Sequence, residues 1–303
     1  MKKNRIIITA ANGFIGEALV QYFKEEYEVV ALVRRPQKGI DGVKYVLWDG
    51  KTLGDWQQEL EGAHCVINLA GRSVDCRYNE KNKKDIYDSR TESTTVIGQA
   101  IDLCKSRPVV WMNASSATLY RHSEDLPMTE SNHELGTGFS VDVCKVWEKS
   151  FYDFTYSDVR QVALRTTIVL GKDGGALHPL KQLAKFGMGG KQGPGTQMFS
   201  WIHLEDFCAA VKFILLNDSL VAAVNMAAPI PLTNKKVMKS FRTAVGRSFG
   251  LPIPKFLLEF GARLIKTETE LILKSRYVLP ENLLEAGFEF KFPTMEEALK
   301  DLI

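Results

Sequence analysis

Cysteine is scarce and scattered in this sequence. Cys65, Cys76, Cys104, Cys144 and Cys208 are an odd number in 303 residues, and no two of them form a Cys-x-x-Cys pair. That argues against a disulfide framework or a zinc site and points to a reducing compartment, so a cytoplasmic protein is expected. Long apolar runs are lacking too. Ile6-Ile7-Ile8 near the N-terminus is too short for the core of a signal peptide, and no stretch reaches the length that spans a bilayer. Charge of one sign does not dominate: 39 basic against 36 acidic residues leave a net +3, which gives no reason to expect nucleic acid or an anionic membrane as partner. Internal repeats are missing, which sets solenoids aside. What remains is an ordinary globular composition, 45% hydrophobic and 25% charged, in a chain long enough to bury a core without staples.

Short apolar runs alternate with helical spacing through the first two-thirds. Ile6–Thr9, Glu28–Val33, Val43–Leu47, His64–Ala70, Pro108–Ser115 and Val159–Leu170 read as six strands. Phe14–Glu26, Lys81–Cys104 and Phe139–Phe154 read as helices, the last with Phe139, Val143, Val146, Trp147, Ser150 and Phe154 on one side. Apolar strands alternating with helices predict an α/β chain: a Rossmann doubly wound parallel sheet over residues 1–170. Residues 198–225 are expected to return to that domain. Residues 171–303 are expected to form a smaller mixed α/β substrate-facing C-terminal region. Within it, Gly187–Gly195 holds five glycines and a proline, which predicts a long flexible loop over the substrate.

The first strand runs into Thr9-Ala10-Ala11-Asn12-Gly13-Phe14-Ile15-Gly16, at the strand-to-helix turn where a dinucleotide pyrophosphate sits. Gly13 would let the backbone approach the phosphates, Gly16 would let the helix pack closely on the strand, and the helix N-terminus offers N–H groups to the anion. Ala10 stands where the first glycine is usual. The second strand ends in Arg34-Arg35 with no acid beside them. An acid there would bond the ribose and repel a 2′-phosphate, so the pair points to NADP(H). Asp49 is placed to bond the adenine, and Asn68-Leu69-Ala70-Gly71 closes the fourth strand with small residues under the cofactor.

Several long motifs in order give the chain a family likeness. They are the glycine turn, Asn68–Gly71, Asp88-Ser89-Arg90, Ala114–Thr118, Cys144–Glu148, Leu164-Arg165 and Val169–Gly171. Further on come Gly174–Leu177, Gly187–Gly190, Phe199–His203 with Asp206, and Val278–Glu281 through Glu285–Phe288. On these the sequence resembles, nearly end to end, the extended short-chain dehydrogenase/reductases of the NAD-dependent epimerase/dehydratase family, in the atypical branch with a small extra C-terminal domain. The resemblance implies a cofactor cleft walled by Thr9, Ala11, Asn12, Gly13, Phe14, Ile15, Gly16, Arg34, Arg35, Asp49, Leu69, Ala70 and Gly71, with Arg90, Ser115, Lys145 and Val169. It also implies a homodimer through the two long helices, as is common in this fold.

Typical members work with a Ser, a Tyr and a Lys, the Tyr four residues before the Lys. By resemblance Ser116 matches the serine and Lys145 the lysine, which leaves Val141 where the phenol should be. Substitutes for the missing acid are Tyr120, His203 and Lys145 itself. The expected function is an NADP(H)-dependent oxidoreductase or epimerase-like enzyme with an altered active site, acting on a small carbonyl or sugar-like molecule. The alternative is an NADP(H)-binding sensor or partner-binding protein without turnover.

Overall fold

The computed structural model describes residues 3–36, 39–264 and 273–303. A seven-stranded sheet forms the centre. Its strands are β1 (Arg5–Thr9), β2 (Glu28–Val33), β3 (Lys44–Leu47), β4 (Cys65–Asn68), β5 (Val110–Ser116), β6 (Arg160–Thr166) and the edge strand β11 (Ala222–Met226). They run in the order β11-β6-β5-β4-β1-β2-β3, and every pair is parallel. This is the doubly wound Rossmann arrangement, with the switch of winding direction between β1 and β4. The central strands are buried on both faces, which is why they read as unbroken apolar runs rather than alternating ones.

Helices cover both faces. On one, α1 (Phe14–Phe23) packs with α5 (Leu204–Leu216), and Leu19, Val20, Phe23, Phe207, Val211 and Ile214 join the main core. On the other lie α2 (Glu80–Asp102) and α3 (Phe139–Tyr152). Gly98 in α2 leaves space for the ring of Phe154, which follows α3. The interior face of α3 is Val141, Val143, Cys144, Trp147 and Phe151. Val146, expected inside, is exposed, because the helix sits rotated from the face that the aromatic spacing implied.

The expected sixth strand, Val159–Leu170, is two strands. β6 ends at Thr166, and after Thr167 the chain enters β7 (Ile168–Gly171), which leaves the large sheet to join β8 (Gly174–Gly175) and β10 (Trp201–His203), the last preceded by the two-residue β9 (Met198–Phe199). At the break Thr167 is tied to the end of the edge strand twice over: its backbone N–H (3.2 Å) and its Oγ1 (2.7 Å) both donate to Met226 O. A second core gathers around Trp201, with Leu170, Leu177, Val237, Phe241 and Phe292. It is fed by α4 (Leu177–Lys185), α6 (Asn234–Ala244) and the terminal helix Met295–Leu302, whose Thr294 and Glu297 form a reciprocal capping box. The C-terminal stretch is not sealed off from the sheet, since Leu283 and Phe288 insert into the main core.

The glycine-rich segment 187–195 is tied down by backbone bonds. Gly190 N and Gly193 N donate to Leu251 O and Ile253 O, while Leu251 N and Ile253 N donate back to Gly187 O and Lys191 O. A Cβ at Gly190 would overlap the Leu251–Pro252 backbone. These glycines allow two chain segments to touch, which differs from the expected loose cover.

Candidate functional site

The site starts at the switch point. Thr9 Oγ1 donates to Asn68 Oδ1 (2.8 Å) and accepts from Leu69 N (2.9 Å), and Asn68 Nδ2 donates to Asn113 Oδ1 (2.7 Å). Thr94 and the Trp147 indole N–H complete this buried network, which pins the C-terminal ends of β1, β4 and β5 to α2 and α3. Past Thr9 the chain turns at Ala10, whose φ of 49° is the conformation that a glycine adopts freely. Alanine there costs on the order of 1–3 kcal/mol, and the Gly13 N–H bond to Ala10 O (2.8 Å) holds the turn. Gly13 then caps α1 in extended conformation with no side-chain bond to the helix end, so the first N–H groups of α1 have no side-chain acceptor. Phe14 serves another purpose, its ring lying against Gly171, Gly174 and Gly175, where a side chain would collide with it. Ile15 and Leu69 pack on the main core, and Val169 is part of it, at the start of the second sheet.

A cleft of about 330 Å³ opens above this turn. Ala10, Asn12, Arg34, Trp48, Ala70 and Gly71 line it, and Asp49 closes one end. The Asp49 carboxylate accepts from Thr52 Oγ1, Thr52 N and Lys51 N, and the Thr52 hydroxyl above all holds it below the usual carboxylate range. The acidic wall contributed by α2 is neutralised by ion pairs: Lys51 with Glu92 (2.9 Å), Lys84 with Asp88 (2.5 Å) and Arg72 with Asp85. Arg34 is exposed at the rim, whereas Arg35 lies outside the lining. Ala11 is buried beneath the turn.

A second, smaller pocket of about 100 Å³ lies beyond Gly71. Its walls include Tyr78, Arg90, Ser116, Ser140, Cys144 and Trp147. The two spaces meet where Gly71 touches Arg90: a Cβ on Gly71 would come within 3.3 Å of the guanidinium carbon. Arg90 lies over the Trp147 ring at 5.0 Å and donates to Arg72 O and Ile86 O. Burial pulls its pKa down. Ser116 Oγ accepts from Thr118 N at 3.2 Å, which leaves its own proton to donate.

The structure shifts the expected reading of α3 by one residue. Ser140 and Cys144, four apart, face the Ser116 pocket. Val141 is fully buried against Leu119 and Cys144, about 100° further round the helix. Lys145 follows Val141 away from the pocket, and its Nζ donates to Gly136 O at 3.0 Å. The pocket therefore meets a hydroxyl and a thiol on α3 rather than an ammonium. The thiol is neutral, pushed up to about 11 by burial. The signal was in the sequence, since Ser140 and Cys144 share a flank with Phe139, Val143 and Trp147 at helical spacing.

The other expected acids are engaged in packing. Tyr120 is buried, and its hydroxyl donates to Asn225 Oδ1 (2.7 Å) and accepts from Arg165 (3.0 Å). Arg165 forms a two-pronged pair with Glu148 at 2.8 Å on each arm, and Ser115 Oγ also donates to Glu148. Burial opposes the charge of Arg165, but Glu148 outweighs it and raises its pKa. Ser115 and Tyr120 thus belong to a buried network beside the pocket. His203 caps α5 by accepting from Glu205 N, stacks on Phe292 at 3.9 Å, and has Asp301 3.5 Å from Nε2. These contacts place it in the second core. Residues that the sequence reading missed are Trp48, which follows β3 into the cleft, Tyr78, and the pair Lys274 and Arg276, which donate to Thr118 O and Oγ1. Trp48 sits just past the end of β3, where a signal existed, and Tyr78 lies two residues before α2, in a loop with no such signal. The last two come from far along the chain. Among the described residues no cluster of three or more His, Cys, Asp or Glu could hold a metal, and no helix is long and apolar enough to cross a membrane.

A parallel sheet with a glycine turn at its switch point and a cleft over that turn defines a dinucleotide-binding Rossmann protein. Residues 6–227 match the NAD dependent epimerase/dehydratase family, and the chain belongs to it. Residues 253–302 match a second family model, described only as a domain of unknown function. Among curated relatives, an epimerase family protein SDR39U1 homolog of Arabidopsis thaliana, described as chloroplastic, is 29% identical over 98% of this chain and 86% of its own. The epimerase family protein SA0724 of Staphylococcus aureus is 30% identical over 98% of both. Among solved structures, human epimerase family protein SDR39U1 with NADPH superimposes with a TM-score of 0.87 at 27% identity, covering 98% of each chain.

Proposed function

We propose that this chain is an NADP(H)-dependent oxidoreductase or epimerase-like enzyme acting on a small carbonyl or sugar-like molecule. The observation that carries the cofactor choice is Arg34 on the rim of the cleft just past the end of β2, with Trp48 also in the lining and no acid following the strand. A guanidinium there favours a 2′-phosphate and an acid would repel it. The human relative with this fold was solved with NADPH, which supports the same choice. When bound, the dinucleotide supplies the hydride. The chain's own residues do the rest: the α1 N-terminus and Gly13 face the pyrophosphate, Ala70 and Gly71 leave its path open, and Ser116 donates to the substrate oxygen. A dimer through the outer faces of α2 and α3 is part of this reading.

One observation favours a second reading. The α3 face of the pocket carries Ser140 and Cys144, neither of which moves a proton as a phenol beside an ammonium does. A protein that binds NADP(H) as a sensor without turnover fits that face. Fluorescence titration with NADPH and NADH decides the cofactor, and turnover against a panel of aldehydes, diketones and sugar nucleotides decides between the readings. A charge-assisted bond worth about 1.5–3 kcal/mol predicts NADPH binding roughly 10- to 150-fold tighter than NADH. Arg34→Ala should erase that preference and leave NADH binding as it was. Equal affinities in the wild type would refute the cofactor assignment.

A further inference from the structure

The pocket beside Ser116 holds one phenol, and it does not come from α3. Tyr78 lies in the loop between β4 and α2, lines the same pocket as Ser116 and Cys144, and packs its ring on Phe139 with centroids 4.7 Å apart. Arg90 is also in that wall, held by two backbone carbonyls and the Trp147 face, and so fixed in position. The pair has the two properties that the α3 face lacks, an acid able to give up a proton and a fixed cation to stabilise what remains.

We propose, on the basis of the oxidoreductase reading above, that Tyr78 and Arg90 are the proton-handling pair of this site: Tyr78 Oη protonates the substrate oxygen held by Ser116, and Arg90 stabilises the phenolate. In carbonyl reduction the carbonyl carbon takes a hydride from the reduced nicotinamide dinucleotide and the oxygen takes the Tyr78 proton. The C=O becomes CH–OH, the dinucleotide leaves oxidised, and water returns a proton to the phenolate. The guanidinium and the phenol line the same small pocket, which brings the two groups into one space. The guanidinium's charge is maintained because an arginine pKa starts far above neutrality. Cys144, neutral and buried, takes no part in this step.

The first test needs no turnover. Tyrosinate absorbance is titrated in the wild type, and the Tyr78 contribution is isolated by subtracting Tyr78→Phe. Removing a neighbouring cation moves a phenol pKa upward by about one unit or more. The Tyr78 signal should therefore appear at higher pH in Arg90→Gln and return toward the wild-type position in Arg90→Lys. A Tyr78 signal unmoved by Arg90→Gln, in protein whose circular dichroism matches wild type, overturns the pair. Should Arg90→Gln fail to fold, saturating NADP+ gives the second measurement, because a phenol at the reacting end of the cleft must shift when the cofactor binds and a remote one must not. In turnover, Tyr78→Phe should lower kcat about 10²- to 10⁴-fold with the NADPH affinity unchanged. Full activity in Tyr78→Phe overturns the proposal while leaving the reductase reading intact. A wild type that binds NADPH and reduces no member of the carbonyl panel sinks that reading and the catalytic role with it.

Discussion

The two glycines of the β1–α1 turn should fail in different ways, and the structure gives the reason. A Cβ at residue 16 would lie 2.9 Å from Ala10 C and Ala11 Cα, and closer still to Ala10 O. Carbon and oxygen normally approach to about 3.3–3.6 Å. All three atoms are main chain of a turn fixed by the Gly13–Ala10 bond and by β1 pairing on both sides, so none can swing aside. Relief requires α1 to lift from the sheet, taking Leu19, Val20 and Phe23 out of the core. The helix-propensity gain of alanine over glycine, about 1 kcal/mol, works the other way. Overpacking against backbone costs about 1–3 kcal/mol or more, so Gly16→Ala should be destabilising on balance, and Gly16→Val more so. At Gly13 the one near contact is Ala10 O at 3.2 Å, and a φ of −89° suits any residue. Gly13→Ala should cost less than about 1 kcal/mol, the difference between cap residues. Gly13→Val should keep the fold and lose NADPH affinity, because its methyls fill the phosphate space. Urea unfolding followed by tryptophan fluorescence, with NADPH titration on the same samples, separates the two effects. Wild-type stability in Gly16→Ala, or normal NADPH binding by Gly13→Val, would refute this account of the turn.

Three other perturbations follow from buried groups. Glu148→Gln leaves Arg165, whose side chain is only 10% exposed, without its counter-charge. The expected loss is about 3–5 kcal/mol in denaturant unfolding, against a much smaller one for Glu148→Leu combined with Arg165→Met; equal losses would contradict it. Val141→Tyr places a phenol in the space between Leu119, Cys144 and the Gly136 backbone, and should lower the Tm, whereas Ser140→Tyr projects into the pocket and should be tolerated. The opposite order in a thermal melt would restore Val141 to the pocket. Burial lowers the His203 pKa, with Asp301 partly opposing it, so the folded protein resists protonation there. That stability is complete above the unfolded value of about 6.5 and is lost as pH falls below it toward the folded pKa. Wild type should therefore lose more Tm between neutral and mildly acidic pH than His203→Asn, which keeps the helix cap. His64, depressed in the same direction by burial, is present in both proteins and cancels.

The sheet was legible because its strands are buried on both faces. Ile6–Ile8, Val29–Val33 and Cys65–Ile67 read as short, continuous apolar runs rich in β-branched residues, which favours strand over helix. The glycine turn was legible because its geometry is local: Gly13 and Gly16 answer to Ala10 and Ala11, residues within the same turn. The α3 face was not legible to one residue. Its helix is apolar on more than one side, so spacing alone did not say whether Ser140 or Val141 looks at Ser116. That rotation is set by Trp147 reaching Thr94 and by Glu148 pairing with Arg165 on β6.

The sequence by itself determined the order of strands and helices, the position of the phosphate turn and the basic residue at the end of β2, because each depends on neighbours a few residues away or on the burial of a whole strand. Tertiary structure alone decided which polar side chains share a pocket. Tyr120 and His203 were candidates by residue type, but contacts with Asn225, Arg165, Phe292 and Asp301, all distant in sequence, committed them to packing. Tyr78, Arg90, Ser116 and Cys144 were brought together from three separate segments. A side chain's partners are fixed by the packing of whole elements, and no local pattern records which elements will meet.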